Sequence, residues 1–329
     1  MERIRVAGKV YTDPDILSLI GSRSELVDPQ REVIRRAREL NQKLRDLGDV
    51  HDGPRQRIEV LASLAGIKVA PMQGSGVGSG VRDALIYREF DGSRRIYYNP
   101  TLLEGRINFS IGHEIIHTFF PNSVSGARFR SMCADDSKEG NELERLCDRG
   151  AAELLMPVEE FREEVGDEIS LLAIPRLCER FGSSYEATVY RLATTYERIA
   201  IAGLLKYRHR KNEVKKIASS QRPLLFAAVN EGTAPRAKLR RQSLHTSDSC
   251  GPQHVIQWNK SFSEDSCVYR AATQAGMQSD FERLPNSCEE EGIIEAVRAP
   301  FQTPKGRSGI ARRAVLLVQI GRNASDSTQ

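Results

Sequence analysis

The chain has little that would anchor it in a membrane or cross-link it. No apolar run approaches the ~18 residues that read as a membrane helix. The opening Met1-Glu-Arg-Ile-Arg5 lacks the apolar core of a signal peptide, so the expected location is cytoplasmic. Six cysteines (Cys133, Cys147, Cys178, Cys250, Cys267, Cys288) include no C-x-x-C pair. That pattern argues for reduced thiols and against a disulfide framework or a cysteine-based zinc site. The run Gly74 to Gly80 is rich in glycine, but no Gly-Lys-Ser/Thr follows it, so it reads as a turn and not as a phosphate cradle. Six histidines leave few residues for metal chemistry, which makes their spacing informative.

What is present is ordinary for a globular chain. There are 329 residues, 40% hydrophobic and 28% charged, enough for two domains. The net charge of +4 is uneven. From Leu205 onward there are 20 Lys and Arg against 12 Asp and Glu; before it there are 28 against 32. The basic runs Lys206 to Lys216, Arg236 to Arg241 and Lys305 to Arg313 read first as solvated faces and second as a nucleic-acid patch.

Two of the histidines stand four apart in His113-Glu-Ile-Ile-His117. On a helix, that spacing puts them about 40° apart around the axis, so both imidazoles reach one ion. Glu114 lies beside them as a general base for water. Ile107, Ile111, Ile115 and Phe119 repeat at helical spacing, widened by Leu103, Ile116 and Phe120, and Pro121 ends the segment. A helix so lined is largely buried, and two His and a Glu there need a metal or polar partners.

A catalytic zinc site needs a third protein ligand and one open position. The next predicted helix, 141–156, offers Glu142, Glu144, Asp148 and Glu153. Glu144 and Asp148 share a face. Glu153 projects about 180° from Glu144, and Glu142 about 160°. A ligand Glu followed four residues later by an Asp suits a metal site, because the Asp can accept the spare N–H of a ligating His. We therefore assign Glu144 to the metal, with His113 and His117, and Asp148 to orienting a histidine. Zinc is the expected ion; His-His-carboxylate sites also accept manganese.

Asp28-Pro29 caps a helix reaching Leu47, and Arg55 to Ala65 forms another. Ile67 to Ala70, Ala84 to Phe90 and Arg94 to Tyr98 read as strands, the last two paired around Asp91-Gly92. If that hairpin has a free edge, an extended peptide can add to it. Tyr97, Tyr98 and Arg130 are the candidates for stabilising an oxyanion. Two helices around Gly182 resemble a helix-turn-helix, but Glu186 and Glu197 oppose phosphate contact. Ile199 to Tyr207 is a strand leaving this part. The expected class is α+β: a helical extension (1–53), a metal-binding domain (54–168), a helix-turn-helix-like unit (169–205) and a smaller C-terminal α/β domain (206–329).

The metal motif, followed by Glu-Arg-Leu-Cys-Asp-Arg-Gly-Ala-Ala-Glu-Leu-Leu-Met-Pro (144–157), resembles the ImmA/IrrE family of bacterial metallopeptidases. The resemblance covers about 54–205. It implies a zincin-like fold, zinc on His113, His117 and Glu144, and Glu114 as base. It also implies a cytosolic endopeptidase that cleaves helix-turn-helix (Xre-type) repressors, derepressing DNA-damage or mobile-element genes. Some members carry a GAF-like sensor domain where 206–329 lies. Cys147 and Gly150 depart from commoner members. The rival readings are a DNA-binding transcription regulator and a zinc-stabilised sensor without peptidase activity.

Overall fold

Asp28 starts the helix on which the first unit is built. Its carboxylate accepts the backbone N–H of Gln30 at 2.8 Å and of Arg31 at 3.4 Å, and Pro29 opens the helix without wasting a donor. A computed structural model describes residues 3–6, 8–20, 27–48, 53–73, 83–120, 138–166, 169–196, 199–210, 212–213, 237–246, 260–274, 276–283, 291–298 and 313–319. The glycine-rich run 74–80, most of the polar loop 122–140, Arg130, and the apolar runs 224–229 and 254–258 lie outside them.

The chain divides into two units: Met1–Asp167 with Arg176–Ser184, and Glu168–Pro175 with Tyr185–Gln329. In the first, β1 (Ile4–Val6) and β2 (Lys9–Tyr11) form an antiparallel hairpin that precedes α1 (Pro14–Ile20). Next come α2 (Pro29–Asp46), α3 (Pro54–Leu64), β3 (Ile67–Pro71), β4 (Ala84–Arg88) and β5 (Arg94–Tyr98). The small sheet has the order β3-β5-β4, with β3 parallel and β4 antiparallel to β5. Then follow α4 (Glu104–His117), α5 (Lys138–Leu155) and α6 (Val158–Val165); a 3-10 turn at Leu171–Ala173 falls in the second unit, and α7 (Ile174–Phe181) returns to the first from Arg176 onward.

Burial follows the helical period. Val33, Ala37, Leu40 and Leu44 of α2 are buried, as are Ile107, Ile111, Ile115 and Ile116 of α4. Leu103, expected in that stripe, precedes α4 as its N-cap and is exposed. Helix α5 packs against both α2 and α4. A Cβ at Gly150 would stand 2.8 Å from side-chain carbons of Ile116 and Val33, so this close approach requires a glycine. Glu153, on the far side of α5, is buried and takes Arg38 Nε at 2.9 Å. Asn41 donates to the Glu153 carbonyl, and Arg57 donates to Asn41 and, through both Nη atoms at 3.0 Å, to Glu160. The two bonds to Glu153 tie α5 to α2, and those of Arg57 tie α3 to α2 and α6.

The second unit contains α8 (Tyr185–Thr195) and an antiparallel sheet of order β7-β6-β10-β9-β8. Its strands are β6 (Ile199–Arg208), β7 (Lys238–Thr246), β8 (Met277–Arg283), β9 (Glu291–Arg298) and β10 (Arg313–Gln319). Helix α9 (Cys267–Thr273) packs on β9, and Ile201, Leu205, Leu239, Val268, Ala271 and Ile294 are part of the core there. The class is mixed α+β. Among the described residues, no helix is long and apolar enough to cross a membrane.

Candidate metal centre

Helix α4 presents His113 and His117 on one face, one turn apart. Its first half is tied down by buried Asn108, which donates to the Gly182 carbonyl at 3.1 Å and accepts from Arg55 at 3.2 Å. Its end is held by Arg36, which donates to the Phe119 carbonyl at 3.2 Å. The two imidazoles are therefore delivered by a braced element.

Their Nε2 atoms face each other at 3.0 Å. Glu144, from α5, brings Oε2 to 3.3 Å from His113 Nε2 and Oε1 to 3.6 Å from His117 Nε2. A tetrahedral zinc at ~2.0–2.1 Å from each ligand keeps neighbouring ligand atoms about 3.3 Å apart. The three separations bracket that value, so this donor set fits the ion. His113 is 2% exposed and His117 and Glu144 are partly so, which leaves a solvent side to the cluster.

Asp148 lies one turn beyond Glu144. Its Oδ1 is 2.8 Å from His113 Nδ1, in position to accept that N–H and leave the Nε2 lone pair turned inward. Glu114 sits between the histidines on α4 and is half-buried. The other acids considered as ligands are engaged elsewhere. Glu142 takes Lys9 Nζ at 3.2 Å, and Glu153 takes Arg38. Of the oxyanion candidates, Tyr97 donates its hydroxyl to Glu89 at 2.8 Å, and the Tyr98 ring lies under the Arg55 guanidinium, 4.2 Å from its centroid.

One contact was not anticipated. Cys147, fully buried, places its sulfur 3.6 Å from His117 Nδ1. The helical repeat carries the signal. Cys147 and Asp148 flank Glu144 at about −60° and +40°, so α5 turns all three toward the histidine pair. Cys147 also forms a possible ligand set with the two histidines, its donor atoms within 4.8 Å of one another. The Glu144 set is tighter, closing within 3.6 Å, and it uses the nitrogens that face each other. We prefer it for that reason.

Residues 64–193 match the peptidase M78 family model, described as an IrrE N-terminal-like domain. This stretch is similar to an IrrE-like peptidase domain. The match spans β3 through most of α8 and includes His113, Glu114, His117, Glu144 and Asp148, so the resemblance to the ImmA/IrrE family is upheld. A Mycobacterium tuberculosis transcriptional regulator of solved structure is similar with a TM-score of 0.50 and 14% identity, over 88% of this chain and 75% of that chain. At that identity the likeness is one of fold. No curated protein matches the chain.

Proposed function

We propose that the chain is a zinc-dependent endopeptidase whose substrate is a helix-turn-helix transcriptional repressor. The observation that carries the reading is the convergence of two Nε2 atoms and one carboxylate, with separations of 3.0, 3.3 and 3.6 Å, inside an IrrE-like peptidase domain. His113, His117 and Glu144 hold the ion. When bound, zinc supplies Lewis acidity to a carbonyl oxygen and to water. Glu114 takes the proton of the attacking water and passes it to the leaving amine nitrogen. Asp148 holds His113 in the tautomer that binds through Nε2.

The edge of the small sheet offers a way to present a peptide. Strand β4 pairs with β5 on one side, and its other side has no strand partner among the described residues. An extended segment added there gains backbone bonds close to α4, which packs against β4. The repressor as substrate rests on the family resemblance, and so does a GAF-like sensor role for 206–329.

A second reading, direct DNA binding, has the fold likeness to a transcriptional regulator and the basic C-terminal part in its favour. Burial weakens it. Arg191, a cation of the second helix of the helix-turn-helix-like pair, is only 8% exposed. Arg240 is buried too, donating to the Arg208 carbonyl and to Glu213. Neither is available to phosphate.

The deciding experiment is co-expression with helix-turn-helix repressors encoded beside the gene. A metal-dependent fragment absent with Glu114→Gln supports the peptidase. Intact repressor, together with steeply salt-dependent binding of promoter DNA by the purified protein, favours the second reading.

A further inference from the structure

We propose that Cys147 is a positioning residue for His117: its sulfur accepts the Nδ1–H and so holds Nε2, as a lone pair, toward the point shared with His113 and Glu144. The inference rests on the metal site proposed above and assigns its remaining ring nitrogen.

A histidine that binds a metal through one nitrogen carries its proton on the other, and that proton needs an acceptor when buried. His113 has Asp148 at 2.8 Å. For His117, the Cys147 sulfur lies 3.6 Å from Nδ1. Sulfur is a weak acceptor and a larger atom than oxygen, which accounts for the longer contact. Because Cys147 is fully buried, water does not readily take over its place. The two histidines are thus oriented from one helix, by residues adjacent in sequence. Asp148 does so with a half-exposed carboxylate and Cys147 with a buried sulfur.

The rival role for this sulfur is as a ligand. A metal shared by Cys147 and His117 Nδ1 would lie on the side of the ring away from His113 Nε2 and Glu144. That arrangement would separate the two Nε2 atoms that stand 3.0 Å apart.

The test uses the full chain, stripped of metal and titrated with zinc against a chromophoric chelator. Cys147→Ala removes the acceptor at little cost in volume, and Cys147→Ser restores one. The expected result is a loss of zinc affinity of about 10- to 100-fold for Cys147→Ala, the usual cost of losing an outer partner of a ligating histidine. Cys147→Ser should recover most of that loss. Circular dichroism of the metal-free proteins checks that each variant is folded. If Cys147→Ala does not fold, the Cys147→Ser comparison still decides, because serine must bind zinc within a few-fold of wild type. Equal affinity of the alanine variant and wild type overturns the proposal. So does a near-ultraviolet sulfur-to-cobalt band in the cobalt-loaded wild type, which would make Cys147 a ligand. If Glu144→Ala leaves zinc affinity unchanged, the metal site itself is misread; if Glu144→Ala weakens binding and Cys147→Ala does not, only this inference fails.

Discussion

Asp148 Oδ1 lies 2.8 Å from His113 Nδ1, on the opposite side of the ring from the nitrogen that faces His117. That contact dictates which nitrogen keeps its lone pair. Asp148→Ala should therefore lower zinc affinity about 10- to 100-fold. Asp148→Asn, which keeps a carbonyl acceptor, should lose less. Chelator competition on the purified variants measures both, and equal affinities for Ala and wild type would remove Asp148 from the site.

Glu114 carries the proton in the proposed reaction and takes no part in holding the ion. Glu114→Gln should retain zinc at wild-type stoichiometry while repressor cleavage falls by about 10²- to 10⁴-fold, the usual worth of a general base. Metal analysis and a cleavage time course read the two effects separately. Normal cleavage by the variant would exclude the assigned role.

Glu144 is the member of the site drawn from a separate helix. Glu144→Ala should leave two imidazoles and a large drop in bound zinc, with the fold retained because its side chain is partly exposed. Metal content after dialysis is the readout. Full stoichiometry would shift the third ligand to another residue, Cys147 being the nearest alternative.

Much of this geometry was readable from periodicity alone. The i, i+4 spacing of His113 and His117 and of Glu144 and Asp148 predicts two helices, each turning one face to the other, and α4 and α5 have that relation. The cap at Asp28 and the strands 67–71, 84–88 and 94–98 were legible because a capping side chain, prolines and turn residues bound them. The hairpin at Ile4–Tyr11 was not, because three-residue strands carry too little alternation to register. In sequence alone nothing distinguishes Cys147 from a small buried apolar residue. Its contact with His117 depends on how closely α5 approaches α4, and helix separation is set by tertiary packing that no local pattern encodes. Burial of Arg240 was hidden for the same reason: a charge run reads as solvated until its partners are known.

Glu32 links acid sensitivity to the brace behind the metal helix. The Arg35 guanidinium hydrogen-bonded to it, helped by Arg36 and opposed by burial, holds its carboxyl down at about 2. A carboxylate with a depressed folded-state pKa stabilises the fold above its unfolded value of about 4.3. That contribution is lost as pH falls from there toward 2. Allowing for the exposure of Arg35, it is on the order of 2 kcal/mol. Glu32→Gln should therefore lower the thermal midpoint at pH 7, with the gap to wild type closing as pH drops below 4. A pH-independent gap would assign the loss to packing.

Gly150 sets the distance between the two helices that form the site. Two effects compete in Gly150→Ala. Alanine favours the helix by roughly 1 kcal/mol over glycine. Against this, the new Cβ would stand 2.8 Å from Ile116 Cδ1, Ile116 Cγ1 and Val33 Cγ1, all in a buried seam. Overpacking of that kind costs about 1–3 kcal/mol, so the net expectation is destabilisation of roughly 1 kcal/mol, and more for Gly150→Val. The relief available is for α5 to move away from α4, which would carry Glu144 away from the histidines. Zinc affinity should therefore fall together with stability. Denaturant unfolding and zinc titration on the same variant check the coupling. A variant that loses stability but binds zinc as wild type would show that Ile116 and Val33 absorb the strain without moving the helix.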